Sequence, residues 1–259
     1  MWKAAGLGMF AVLLLSGPAR AQDDDGSWAA RAQVGYAKTG GNTDTSTGNA
    51  LFHIAHVVDD WKLLFGAEGF YGSTKGETTA QAWDAHLQAN YNINERLYWY
   101  SGVRYDDNKF SGFAYQEALT TGLGYQFVKT DDTKLSAQLG IGARRLRPEL
   151  LTEDSLGAIT STTELPATTD AVLDAAVNLE HSFNALTKII AGVAVESGSD
   201  NTMTSANLAL QVKMSNLLAL SAGYQLVRNS KPPAGVGSSA SLITLNLVYE
   251  LKNPKLAPE

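Results

Sequence analysis

The chain contains no cysteine, so a disulfide framework, a thiolate nucleophile and a cysteine-held metal are all excluded. It also lacks an excess of positive charge. Its 20 Lys and Arg stand against 26 Asp and Glu, a net charge of −6, and no basic run offsets this, so nucleic acid is not expected as a partner. Beyond residue 21 there is no apolar run near the roughly 20 residues that a membrane-spanning helix needs. No window shows strong helical periodicity. If such a chain crosses a bilayer, it must do so as a closed β-barrel, the other architecture that pairs every backbone group internally.

What is present begins with a leader. Lys3 gives a positive start, residues 4–15 are apolar, Gly17-Pro18 interrupts them, and Ala19-Arg20-Ala21 has the small-x-small form of a signal-peptidase site. Residues 1–21 read as a cleaved signal peptide. Losing Lys3 and Arg20 then moves the net charge from −6 to −8.

The remainder alternates apolar and polar residues in segments of roughly 10–13, separated by turns rich in Gly, Asn, Asp, Ser and Thr. Trp28, Ala30, Ala32, Val34 and Tyr36 oppose Arg31, Gln33 and Gly35. Trp61, Leu63, Phe65 and Tyr71 oppose Lys62 and Glu68. Trp83, Ala85, Leu87 and Tyr91 oppose Asp84, His86, Gln88 and Asn90. Leu135, Leu139 and Ile141 oppose Gln138 and Arg144, and Leu173, Val177 and Phe183 oppose Asp174 and Glu180. Weaker copies near 45–58, 97–105, 114–128, 186–197, 202–214, 217–228 and 239–250 bring the expected number of strands to about twelve.

A soluble ligand-binding barrel also alternates, so the side chains must decide. Aromatics mark both ends of the apolar face: Trp28 with Tyr36, Trp61 with Tyr71, Trp83 with Tyr91, and Tyr115 with Tyr125 and Phe127. Ten residues at about 3.3 Å each, tilted near 40°, rise roughly 25 Å, the height of the apolar band of an outer-membrane barrel. Trp28, Trp61, Trp83, Tyr91, Tyr125 and Phe183 are therefore expected in its interfacial girdles. Connections reinforce this. Residues 58–60, 92–95, 129–133, 184–185 and 215–216 read as short turns. Residues 39–44, 72–78, 106–113, 147–166 and 229–238 read as longer loops, with 197–201 short. Both ends of the barrel chain then lie on the short-turn, periplasmic side.

Two longer motifs carry a resemblance. Gly35-Tyr36-Ala37-Lys38-Thr39-Gly40-Gly41-Asn42-Thr43-Asp44-Thr45 resembles the opening hairpin of the salt-induced outer-membrane protein family, domain of unknown function 481. The stretch from Arg104-Tyr105-Asp106-Asp107-Asn108 through Gly112-Phe113-Ala114-Tyr115-Gln116, and the following Gly122-Leu123-Gly124-Tyr125-Gln126, resemble its centre. The resemblance runs over about residues 27–250. It implies an outer-membrane barrel and carries no catalytic assignment.

The expected organisation is thus a signal peptide at 1–21, a transmembrane up-and-down antiparallel barrel at 22–251 and a tail at 252–259. The expected place is the outer membrane of a Gram-negative bacterium. Membrane lipid, lipopolysaccharide and the barrel-assembly machinery are the expected partners; oligomeric state stays open. No cofactor or metal is expected. His53 and His56 are three apart, which on a strand sends them to opposite faces. An outer-membrane enzyme acting on lipid would need a rim Ser–His pair, and the one local cluster, His181-Ser182, diverges by the same alternation. Arg31, Glu68, Asp84, Arg104 and Arg144 are expected to face the lumen. Asp84 and Arg104, on neighbouring strands, are expected to pair, with at least one of the three arginines bonded to Glu68 or Asp84. The function expected is non-enzymatic, a narrow channel or an envelope-stabilising barrel. N-terminal sequencing of protein purified from an outer-membrane fraction should begin at Gln22; a start at Met1 would refute the leader.

Overall fold

The computed structural model describes residues 27–40, 44–155, 159–234 and 236–252. The signal peptide expected at 1–21 lies outside them, as do residues 253–259 of the tail expected at 252–259, whose first residue, Lys252, ends a strand. The described residues form thirteen strands: β1 (Ser27–Thr39), β2 (Thr45–Val58), β3 (Trp61–Thr74), β4 (Glu77–Asn92), β5 (Leu97–Asn108), β6 (Phe113–Lys129), β7 (Thr133–Glu153), β8 (Ile159–Glu164), β9 (Thr168–Ser182), β10 (Thr187–Gly198), β11 (Thr202–Lys213), β12 (Leu218–Asn229) and β13 (Ser239–Lys252).

Twelve of them close into one antiparallel barrel. Each strand pairs with its sequence neighbours, except that β9 pairs with β7 across the β8 insertion. The cylinder is sealed where β1 meets β13, from Ala29 opposite Lys252 to Val34 opposite Leu247. β8 pairs with β7 alone, so those two strands continue as a hairpin beyond the barrel rim.

This corrects two expected loops. Residues 147–166 are largely strand: β7 runs on to Glu153 and folds back through β8. Residues 72–78 hold only a two-residue turn, Lys75-Gly76, with φ of 51° and 86°. That left-handed pair twists in the sense of the flanking strands, which is the reason tight hairpins favour it. At the end that carries Ser27 and Lys252, the β2–β3 turn is a two-residue Asp59-Asp60 with Asp59 at φ 50°, and four other turns are capped by side chains. Asn94 Oδ1 accepts from the backbone amides of Arg96 and Leu97 at 2.9 and 2.8 Å, and Asn184 Oδ1 accepts from Leu186 and Thr187 at 2.9 Å each. Thr130 and Ser215 cap their turns with hydroxyls in the same way. Short polar side chains replace the ladder bonds that the backbone gives up on reversing.

The wall is inside-out relative to a soluble protein. Among the described residues, forty large apolar side chains are exposed, whereas nine hydrophobic residues are buried alongside twelve polar or charged ones. Ile243 and Leu245 are 79% and 77% exposed on the outside, while Arg144 and Gln211 are 0% exposed on the inside. Leaving one large apolar side chain in water forgoes about 1.5–3 kcal/mol, so forty of them require an apolar surrounding medium. The barrel is built to span a membrane.

Its interior is narrowed at one wall by tyrosines laid on glycines. Tyr98 and Tyr100 on β5 point inward and are buried. Directly opposite them in register are Gly124 and Gly122 of β6, and Gly122 faces Gly140 of β7. A Cβ at Gly124 would run into the Tyr98 ring, and one at Gly140 would meet the Thr121 carbonyl and the Tyr100 hydroxyl. Gly140→Val should therefore overpack the wall and destabilise the refolded barrel by about 1–3 kcal/mol in urea titrations followed by tryptophan fluorescence. Ala143→Val, three residues on and facing outward, should stay within about 0.5 kcal/mol.

Candidate functional site

Strand alternation sends Arg31, Glu68, Asp84, Arg104 and Arg144 inward on β1, β3, β4, β5 and β7. Among the described residues, polar side chains from all sides converge in the lumen, and it is the candidate site.

Arg104 and Arg144 meet at Glu196 on β10. Arg104 reaches Glu196 with two parallel bonds, Nε to Oε1 at 3.2 Å and Nη2 to Oε2 at 2.7 Å, and also pairs with Asp106 on its own strand. Arg144 is fully buried. Its guanidinium donates to the Asn201 carbonyl at 2.5 Å and the Glu196 carbonyl at 3.4 Å, and pairs with Asp170 at 3.5 Å. Asn201 in turn donates to Asn229 at 2.6 Å. This cluster draws β5, β7, β9, β10 and the β10–β11 turn together. Nearer the short-turn end, Arg31 donates to Gln211 at 2.7 Å and lies 3.7 Å from Glu250, which also takes Gln211 at 2.9 Å and Lys188 at 3.4 Å. Three further bonds join strands that are not neighbours: Tyr100 to Asp174, Gln225 to Glu68 at 3.3 Å, and Gln138 to the Tyr98 hydroxyl at 3.1 Å.

The pairing expected for Glu68 and Asp84 is not the one formed. Neither carboxylate is within ion-pair distance of Arg31, Arg104 or Arg144 among the described residues. Glu68 lies 3.6 Å from His53, and Asp84 lies 3.8 Å from His86. Register is the reason. Asp84 stands opposite Asp106, and Arg104 stands opposite His86, so the pair is offset by two residues. Arg104 finds its carboxylate across the lumen instead. Histidine spacing follows alternation: His56 stacks outward on Trp28, with ring centroids 3.9 Å apart, while His53 turns inward to within 5.6 Å of His86. Among the described residues no group of three or more His, Asp or Glu is arranged to hold a metal ion. His181 faces outward, edge-on to Phe183 and 2.8 Å from the Thr133 hydroxyl, while Ser182 turns inward, so the two do not converge.

On the outer wall, Trp28, Trp61, Trp83, Tyr91, Tyr125 and Phe183 are all exposed. Their ring contacts fall into two belts. The belt at the short-turn end includes Trp61 with Tyr91 at 5.1 Å and with Trp99 at 6.4 Å, Tyr125 with Phe127 at 5.1 Å, and His181 with Phe183 at 5.0 Å. The belt at the opposite end runs from Trp83 to Tyr105 at 5.1 Å and on to Tyr115 at 6.2 Å, with the Arg147 guanidinium 5.6 Å over the Tyr115 ring.

Residues 32–251, nearly the whole barrel, match the model of the protein family of unknown function DUF481. The chain belongs to DUF481. The match carries no response to salt. No curated protein matches this DUF481 member in sequence. Among solved structures it is similar to the β domain of the Bordetella autotransporter BrkA, at 12% identity and TM-score 0.44, covering 89% of this chain and 100% of that one. It is also similar to the translocator domain of the autotransporter NalP from Neisseria meningitidis, at 12% identity and TM-score 0.41, covering 89% and 90%. A third is the NanC porin, at 11% identity and TM-score 0.43, covering 87% and 98%. These likenesses are distant in both sequence and shape.

Missing from the sequence reading were the partners Glu196, Asp170 and Glu250 and the inward His53–His86 pair. Alternation does signal that each faces inward, but contact leaves no mark along the chain: Glu196 and the histidine pair join strands two to four places apart around the cylinder, while Asp170 and Glu250 stand directly opposite Arg144 and Arg31 through the β7–β9 pairing that skips β8 and the β1–β13 seam that joins the chain's ends. Breaking a buried ion pair costs about 3–5 kcal/mol because the abandoned charge stays in the interior. Arg144→Ala should lower stability by that amount in urea unfolding of vesicle-reconstituted protein. Asp84→Ala, whose carboxylate is a third exposed, should change it by under about 1 kcal/mol.

Proposed function

We propose that this protein is a non-enzymatic outer-membrane barrel that acts as a narrow channel. Its short-turn end would face the periplasm, and Trp28, Trp61, Trp83, Tyr91, Tyr125 and Phe183 would sit in the two interfacial girdles. The observation that carries the reading is the lumen itself. His53, His86, Glu68 and Asp84 point inward yet keep 41%, 38%, 30% and 33% of their side-chain surface accessible. Asn178 and Asn207 are inward and exposed as well. The middle of the barrel therefore has room for water. Around it, the Arg104–Glu196–Arg144 cluster and the Arg31–Gln211–Glu250 cluster reach inward from several strands and reduce the bore. Charges that neutralise each other argue against a strongly ion-selective pore, whose lining would carry one sign.

Those same bridges favour a second reading, in which the clusters seal the barrel and the protein serves the envelope structurally. Conductance separates the two. Refolded protein in a planar bilayer should give small, long-lived current steps in KCl. Glu196→Ala, which removes the residue shared by both arginines, should enlarge them. Silent bilayers for both proteins would reject the channel and leave the structural role.

A further inference from the structure

Two sets of inward residues have a pattern that the ion pairs do not explain. In one register row Asn178 of β9, Gly192 of β10, Asn207 of β11 and Gln225 of β12 lie side by side. In the other, Asn49 of β2 stands opposite Gly35 of β1, whose other flank carries Asn246 of β13. Both rows read amide, glycine, amide across three strands. The glycine is what lets the amides close in: a Cβ at Gly192 would lie 2.5 Å from Asn207 Oδ1 and 3.1 Å from Asn178 Oδ1, and one at Gly35 would collide with Asn246 and Asn49. Asn178 and Asn207 are exposed to the lumen. Asn246 is only 7% exposed, and its Oδ1 has no hydrogen-bond partner. Beside the second row, directly opposite Asn49, is Phe70 of β3.

An amide offers a donor and an acceptor without charge, which matches a hydroxyl and serves an ion poorly. The charges nearby point the same way. Arg31, Arg104, Arg144 and Lys188 are each held by a carboxylate, so none is left over for an anion. Lys62, the second residue of β3, and Lys213, the last of β11, lie at the short-turn rim, away from the amide rows. Glu68 and Asp84 have only histidines as ion-pair partners among the described residues. An anionic solute would meet these two carboxylates; a neutral one meets hydrogen-bonding groups and the apolar Phe70 ring.

Resting on the channel reading above, we propose that the two amide rows form a binding site in the lumen for an uncharged, polyhydroxylated solute of the sugar class. The test is ion current through the refolded protein in a planar bilayer, with sucrose or the anionic, similarly sized lactobionate added. Sucrose is expected to interrupt the KCl current in a saturable way, and lactobionate is not. In the double variant Asn178→Ala, Asn207→Ala, which leaves more room and keeps the channel open, the half-blocking sucrose concentration should rise roughly tenfold, the effect of losing about two neutral hydrogen bonds. Conducting channels that sucrose does not block, or that both solutes block equally, would overturn the sugar site and leave the channel standing. Block unchanged in the double variant would overturn the assignment to these amides. Absence of any KCl conductance would overturn the channel reading, and the site with it.

Discussion

Backbone hydrogen bonding in a medium without water is the constraint on which this structure depends. Each unpaired N–H or C=O in hydrocarbon costs several kcal/mol, so a sheet that enters a membrane must have no edge. The β1–β13 seam removes it. Once the sheet is closed, strict alternation leaves every strand one face for lipid and one for the lumen, and the two chemistries follow residue by residue. Ile243, Leu245 and Leu247 go out; Thr244, Asn246 and Val248 go in. A one-residue slip anywhere would exchange the faces of a whole strand, so register and polarity reinforce each other.

Closure also turns the interior into a place where distant strands confront one another. On an open sheet Arg104 would see β4 and β6 alone. In the cylinder it meets Glu196, ninety-two residues later in the chain. Partly dehydrated charges pressed together in this way must be paired, and the structure pairs them with bidentate geometry and with backbone carbonyls, as at Arg144. Where charges are absent, glycines set beside tyrosines or asparagines determine how far the wall projects. Gly124 under Tyr98 narrows one side of the lumen, and Gly192 between Asn178 and Asn207 brings two amides together on another.

The outer wall and the lumen are thus under different rules. Outside, any apolar residue of roughly the right size serves, provided that aromatics gather near the two interfaces. Inside, partners are specific, and substitution of one member strands another. Functional differences among DUF481 proteins are accordingly to be sought at inward positions such as Glu196, Asn207 and Asn246, rather than among the aliphatic residues facing lipid.

From the sequence alone, period-two alternation and the placement of Trp28, Trp61, Trp83 and Tyr125 determined an antiparallel barrel of twelve strands and the direction in which Arg31, Glu68, Asp84, Arg104 and Arg144 point. These are local properties, written in the identity of each residue and its immediate neighbours. The sequence could not distinguish a flexible loop at 147–166 from a hairpin, because β7 and β8 beyond the rim need not alternate in polarity. Nor did it reveal that Asp84 faces His86 while Arg104 bonds Glu196. That choice was made by tertiary structure: a two-residue offset in register between β4 and β5, and a cylinder that sets β5 across from β10. Contact across a lumen depends on where strands stand around the ring, and that position exists only once the ring has closed.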